Sequence, residues 1–124
     1  MADNKDYLVQ KHENGNIMIS EEVLASIAAL AVREVEGVFG LSASASFDLG
    51  NIIGKKNLRK GIRVTFHEKG FEIGCNLIVK VGCAVMEVAK NVQIAIGSEV
   101  LSMTGVSPAK VNVNVCGIAF GKGE

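Results

Sequence analysis

Between residues 62 and 81 the chain alternates apolar and polar side chains, and no other feature restricts its fold as tightly. Ile62, Val64 and Phe66 alternate with Arg63, Thr65 and His67. After Glu68-Lys69-Gly70 the chain returns with Phe71, Ile73, Cys75, Leu77, Val79 and Val81 on one face. Successive side chains of a strand point to opposite faces, so this is a hairpin with one apolar side. Phe66 and Phe71 share that side only if they stand opposite one another. A slip of one residue would turn one strand inside out. The parity therefore favours an even number of loop residues and leaves the turn type open.

The other elements fall on either side of this hairpin. Residues 1–14 are polar and are expected to form a flexible N-terminal segment. Residues 15–20 alternate, with Ile17 and Ile19 on one face, and read as a short strand. Ser20 is a good helix N-cap, and Glu21 and Glu22 suit the positive end of a helix dipole. At ~100° per residue, Val23, Leu24, Ile27, Ala28, Ala31 and Val35 line one side of a helix over residues 21–36, which Gly37 is placed to stop. Val38, Phe39 and Leu41 suggest a second strand. Residues 42–61 show little periodicity, although 49–53 could form a helical turn. A second helix is expected over residues 84–103, with a core face of Val85, Val88, Ala89, Val92, Ile96, Val100 and Met103. Gly105 ends it and Pro108 follows. A last strand carries Val111, Val113 and Val115 inward and Asn112, Asn114 and Cys116 outward.

The predicted order is β-α-β-β-β-α-β. Each clearly patterned strand has one apolar and one polar face, as in a sheet covered on one side only. The expected class is α+β: a two-layer sandwich with a mainly antiparallel sheet and two helices on one face. Residues 15–120 would form a single domain, with 121–124 as a tail. A chain of 124 residues, 48% of them apolar, can bury a core without staples.

Composition removes several function classes. Thirteen basic and thirteen acidic side chains balance, so nothing draws the whole molecule to nucleic acid or to an anionic membrane. Trp is absent and Tyr7 is the sole tyrosine, too few aromatics for a base-stacking platform. The sheet's polar face, formed by Arg63, Thr65, His67, Glu72, Asn76 and Lys80, carries no aromatic at all. Nucleic acid is therefore not expected as a partner. The start of the chain is too polar for a signal peptide, and no apolar run approaches the roughly 18 residues of a membrane span. Direct membrane insertion is not expected, and a cytoplasmic location is.

No catalytic or metal site emerges, and no cofactor is expected. Cys75, Cys83 and Cys116 show no C-x-x-C spacing and read as small buried residues of a reducing compartment. His12 and His67 lack partners at triad or metal spacing. Residues 50–56 (GNIIGKK) resemble a phosphate loop, but one residue is missing between the glycines and Lys56 stands where Ser or Thr would hold magnesium.

Two features remain as candidate binding surfaces. Lys55, Lys56, Arg59, Lys60 and Arg63 fall within nine residues, with no acid between Asp48 and Glu68. That run is a candidate anion or acidic-partner site, and it supports an alternative function as a module for anionic lipid or nucleic acid. Met86, Ile94 and Leu101 cluster on the side of the second helix away from its core face, around Lys90 and Gly97. A one-sided sandwich should leave that side polar, so the cluster is a candidate protein interface.

Residues 17–38 read I-x-I-S-x-x-V-L-x-x-I-A-x-x-A-x-x-E-V-x-G-V. The later elements follow in order: Gly61-Ile62-Arg63-Val64, the strand over 71–81, a helix with Val88, Val92 and Gln93, and the closing VNVNVCGI of residues 111–118. Together they resemble the alkaline shock protein 23 family, the general or envelope stress response family of Gram-positive bacteria. The resemblance implies a non-enzymatic stress response protein without catalytic residues. It further implies an assembly or adaptor module whose partners are further copies of itself or a membrane-anchored protein. Such a partner would place it at the inner face of the membrane.

Overall fold

The computed structural model describes residues 7–42 and 61–120. Their order is β1 (Tyr7–His12), β2 (Gly15–Ser20), α1 (Glu21–Arg33), β3 (Val38–Leu41), β4 (Ile62–His67), β5 (Gly70–Lys80), α2 (Val85–Thr104) and β6 (Lys110–Ala119). This is the expected α+β sandwich with one strand more. The segment 1–14, read as flexible, supplies β1, which pairs antiparallel with β2 from Tyr7↔Ser20 to His12↔Gly15. Its half-buried residues, Leu8, Val9 and Gln10, are consecutive and do not alternate, which hid the strand.

The main sheet is organised by β5. β4 pairs antiparallel with its first half, from His67↔Gly70 to Ile62↔Cys75, across a two-residue loop. Phe66 and Phe71 are direct partners, as the parity required, with ring centroids 6.1 Å apart. β3 pairs antiparallel with the second half, Val38↔Val79 to Leu41↔Leu77. β3 and β4 thus lie end to end along one edge of β5. β6 takes the whole other edge in parallel, from Glu72↔Lys110 to Lys80↔Ala119. A parallel neighbour needs a crossover, and α2 provides it.

Asn76 joins the two short strands. Its N–H donates to the Gly61 carbonyl at 3.0 Å, and its carbonyl accepts from Ser42 N–H at 2.9 Å. Ser42 and Gly61 therefore stand beside one another at the edge of β5.

Phe71, Ile73, Cys75, Leu77 and Val79 are all fully buried, and Ile62 and Val64 of β4 join them. Both helices press on this face. α1 contributes Leu24, Ala25, Ile27, Ala28, Ala31 and Val32, and α2 contributes Val88, Val92, Ile96 and Val100. Ser20 caps α1 as expected, its Oγ accepting from Val23 N–H at 3.2 Å. α2 ends where Gly105 adopts a left-handed conformation and donates to Leu101 O at 2.8 Å.

Several apolar residues depart from the sequence reading. Val23 and Met103, placed on core faces, are exposed. Val23 lies with Leu30 on a flank of α1, off the face that Leu24, Ala28 and Val32 bury, and Met103 lies in the last turn of α2. Val81 is exposed because β5 ends at Lys80. Val115 is also exposed. The β5–β6 register shifts between Leu77↔Val115 and Ile78↔Gly117, so an extra residue enters β6 there and breaks the alternation. α1 ends at Arg33, three residues early, and Gly37 turns the chain into β3 instead.

Gly37 is the tightest point of that turn. Its φ is +95°, and a Cβ there would lie 2.7 Å from Val88 Cγ2 and 3.3 Å from Cys83 Sγ. Gly37→Ala should cost about 3 kcal/mol, combining a left-handed backbone with overpacking. Gly40, where a Cβ meets nothing within 4 Å, is the control. Urea unfolding should show a large drop for Gly37→Ala and a change of about 0.5 kcal/mol or less for Gly40→Ala.

Candidate functional site

The amphipathic pattern of α2 accounts for its position and for what it leaves uncovered. Val88, Val92, Ile96 and Val100 recur at helical spacing and are buried on the sheet. Met86, Ile94 and Leu101 lie on another side and are 71%, 67% and 47% exposed. They share one stripe with Lys90 and Gly97, since each step is three or four residues. At Gly97 a Cβ would meet nothing within 4 Å, so the stripe is notched at its centre. From Met86 to Leu101 it runs about 22 Å along the axis. α1 carries a shorter counterpart, Val23 and Leu30, seven residues apart and both exposed. The sequence reading missed this pair because Val23 fits an apolar face at 3.6-residue spacing as well as its neighbour Leu24 does.

The basic run is only partly placed. Lys55, Lys56, Arg59 and Lys60 lie outside the described residues, as do the phosphate-loop lookalike and the turn over 49–53. Arg63 is exposed on β4, on the sheet face opposite the helices.

That outer face is polar along its first half, as the alternation predicted. Glu72 Oε2 lies 3.2 Å from His67 Nε2, and Asn112 Nδ2 lies 3.5 Å from Glu72 Oε1. Asn114 Nδ2 donates to Asn76 Oδ1 at 3.1 Å. Asn76 is the exception to an otherwise solvated face, being 1% exposed. A wider groove of about 780 Å³ separates β1 from the β4–β5 turn and is lined by Tyr7, Leu8, Val9, Lys11, Phe66 and His67.

The cysteines divide, although all three were expected to be buried. Cys75 is buried, Cys83 half-buried and Cys116 exposed. Burial pushes the Cys75 thiol up from 9.0 to about 12, and negative charge on Cys116 adds to the effect. Among the described residues no group of three His, Cys, Asp or Glu side chains could hold a metal. Among them too, no helix is long and apolar enough to cross a membrane.

The described residues thus present a covered sheet face, an uncovered helical stripe and a polar outer sheet face. Residues 9–120 match the model of the alkaline shock protein 23 family, described as having a cell envelope-related function, and the chain belongs to that family. It is 32% identical over 123 residues to the uncharacterized protein YqhY of Bacillus subtilis, covering 97% of this chain and 90% of that one. It is 31% identical over 106 residues to YloU of the same organism, also uncharacterized, covering 84% and 88%. Among solved structures, a variant of the MamM CTD superposes with a TM-score of 0.50 at 13% identity, covering 84% of this chain and 89% of that one. At that identity the likeness is one of fold.

The Cys75 thiol gives stability a definite pH dependence. Below pH 9.0 the thiol is protonated in both folded and unfolded chains. Between 9.0 and about 12 the unfolded chain releases the proton and the folded chain keeps it, so stability falls as pH rises. The slope contributed is at most about 1.4 kcal/mol per pH unit. Chemical unfolding across this window should show a steeper decline for the wild type than for Cys75→Ala, and parallel declines would refute the assignment. At pH 8 a thiol reagent should label Cys116 first and reach Cys75 only on unfolding.

Proposed function

We propose that this chain is a non-enzymatic assembly or adaptor module of the cell envelope, working through the outer stripe of α2. The observation that carries the reading is the exposure of Met86, Ile94 and Leu101 on one side of a helix whose other side is buried. Large apolar side chains aligned over several turns match the anchors that a partner helix or groove covers. Methionine at one end suits a surface that adapts to its partner.

The partner is a further copy of the chain, a membrane-anchored protein, or both. The family's cell envelope-related function supports a position at the inner face of the membrane, reached through that partner. The alternative function, binding anionic lipid or nucleic acid through Lys55, Lys56, Arg59, Lys60 and Arg63, draws its support from charge clustering alone.

Ile94→Glu combined with Leu101→Glu places two charges in the stripe without touching the core. Light scattering should show a smaller assembly, or affinity capture from envelope fractions should lose its partner, while circular dichroism stays unchanged. An assembly of the same size together with undiminished capture would remove this surface from consideration.

A further inference from the structure

The outer face of the sheet holds a pocket built around a missing side chain. Gly74 sits midway along β5, opposite Arg63 on β4 and Asn112 on β6. Glu72 and Asn76 flank it on its own strand, with Thr65 beside Glu72 and Asn114 beside Asn76. Side chains two residues apart on a strand, and those paired across strands, share a face. Six polar side chains therefore ring a residue that has none, and the space they enclose is about 240 Å³.

Packing does not force glycine at this position. A Cβ on Gly74 would meet only the Asn112 carbonyl, at an ordinary 3.9 Å. Glycine weakens a strand interior and is found there where something approaches the backbone closely.

Asn76 makes the same point independently. It is 1% exposed and lines the pocket, and its Nδ2 has no hydrogen-bond partner. Its Oδ1 is already engaged by Asn114. Turning both amides over would move the deficit from one atom of Asn76 to the other without removing it. Buried polar groups are otherwise almost always paired, so an orphan beside a polar cavity points to a missing polar partner.

The charges around Gly74 set the chemistry of that partner. Arg63 stands on one side, and its guanidinium has five donors, enough to serve an anion beside its other contacts. Glu72 lies on the next strand, anchored by His67 and Asn112, with lone pairs to spare. Arg63, across from Gly74, and Glu72, two residues along from it, bring a cation and an anion to one cavity, which suits a small molecule bearing both charges. We propose that this pocket binds a small zwitterion of the α-amino acid class. Its carboxylate is held by Arg63 and the Asn76 amide, and its ammonium group by Glu72 and the Asn112 side-chain oxygen.

The test is nitrogen-15 NMR on the full chain, titrated with glycine, L-serine and L-glutamine into the tens of millimolar, the range suited to so few ligand atoms. At least one should give saturable shifts at the Asn76 side-chain amide and the Gly74 and Asn112 backbone amides. The N-acetyl and carboxamide derivatives of that amino acid, each lacking one charge, should bind about fivefold more weakly or worse. Gly74→Val fills the pocket and should abolish the shifts with thermal unfolding otherwise preserved. If that variant does not fold, the exposed change Arg63→Gln serves instead, with an expected loss of about fivefold. No saturable shift from any of the three, or equal binding by both blocked derivatives, would show that the pocket holds only water and would overturn the proposal. Shifts surviving unchanged in the variants would overturn it as well.

Discussion

The main sheet depends on β5, because every other strand in it is paired to β5 and to no other strand among the described residues. Eleven residues serve three partners: β4 and β3 in succession along one edge, β6 along the whole of the other. Its five inward side chains, Phe71 to Val79, are completely buried beneath both helices. Burying apolar side chains of this size contributes about 1.5–3 kcal/mol each, so this strand supplies a large part of the core. A register slip here would expose all five at once and carry three pairings with it.

Two short strands sharing one edge leave a gap between them, and the Asn76 backbone closes it. Its N–H and carbonyl reach Gly61 and Ser42, so residues 43–60 begin and end beside one another at the sheet. Gly61 must be glycine there: its φ is +105°, and a Cβ would lie 2.6 Å from the Ser42 carbonyl. The pairing of β5 itself is continuous from Gly70 to Lys80.

What could be read in advance follows from this arrangement. Alternation over residues 62–79 fixed the β4–β5 register, because apolar and polar faces there are separated by burial. Ser20 and Gly105 marked helix ends because capping is local chemistry that needs no tertiary partner. β1 escaped notice since Leu8 is the one residue of Tyr7–His12 packed against the core, and a single contact makes no alternating pattern. The parallel placement of β6 was equally hidden: Val111, Val113 and Val115 alternate the same way whichever direction the neighbour runs. The α2 stripe was legible as an excess of apolar residues at helical spacing. The pocket was not, because its lining comes from three strands and its defining feature is a side chain that Gly74 lacks. Asn76 was read as solvated surface, for sequence places it on the polar face without showing its depth.

The helix stripe and the pocket lie on opposite sides of the sandwich. The helices cover the side of β5 that carries Cys75 and Leu77, while Asn76 between them faces the pocket. An unpaired buried amide costs about 1–3 kcal/mol, and an apolar residue of similar size would avoid that cost. The backbone role of Asn76 does not explain the amide, since any residue with a peptide group could bridge Gly61 and Ser42. What distinguishes asparagine there is its side chain, half satisfied by Asn114 and half directed at the cavity. Between the helix stripe and the pocket lies the core formed by the inward faces of α2 and β5. A ligand on the outer face is linked to α2 through β5, whose displacement would disturb every pairing in the main sheet, and through β6, whose Val111 carbonyl accepts from Gln93 Nε2 of α2 at 3.0 Å.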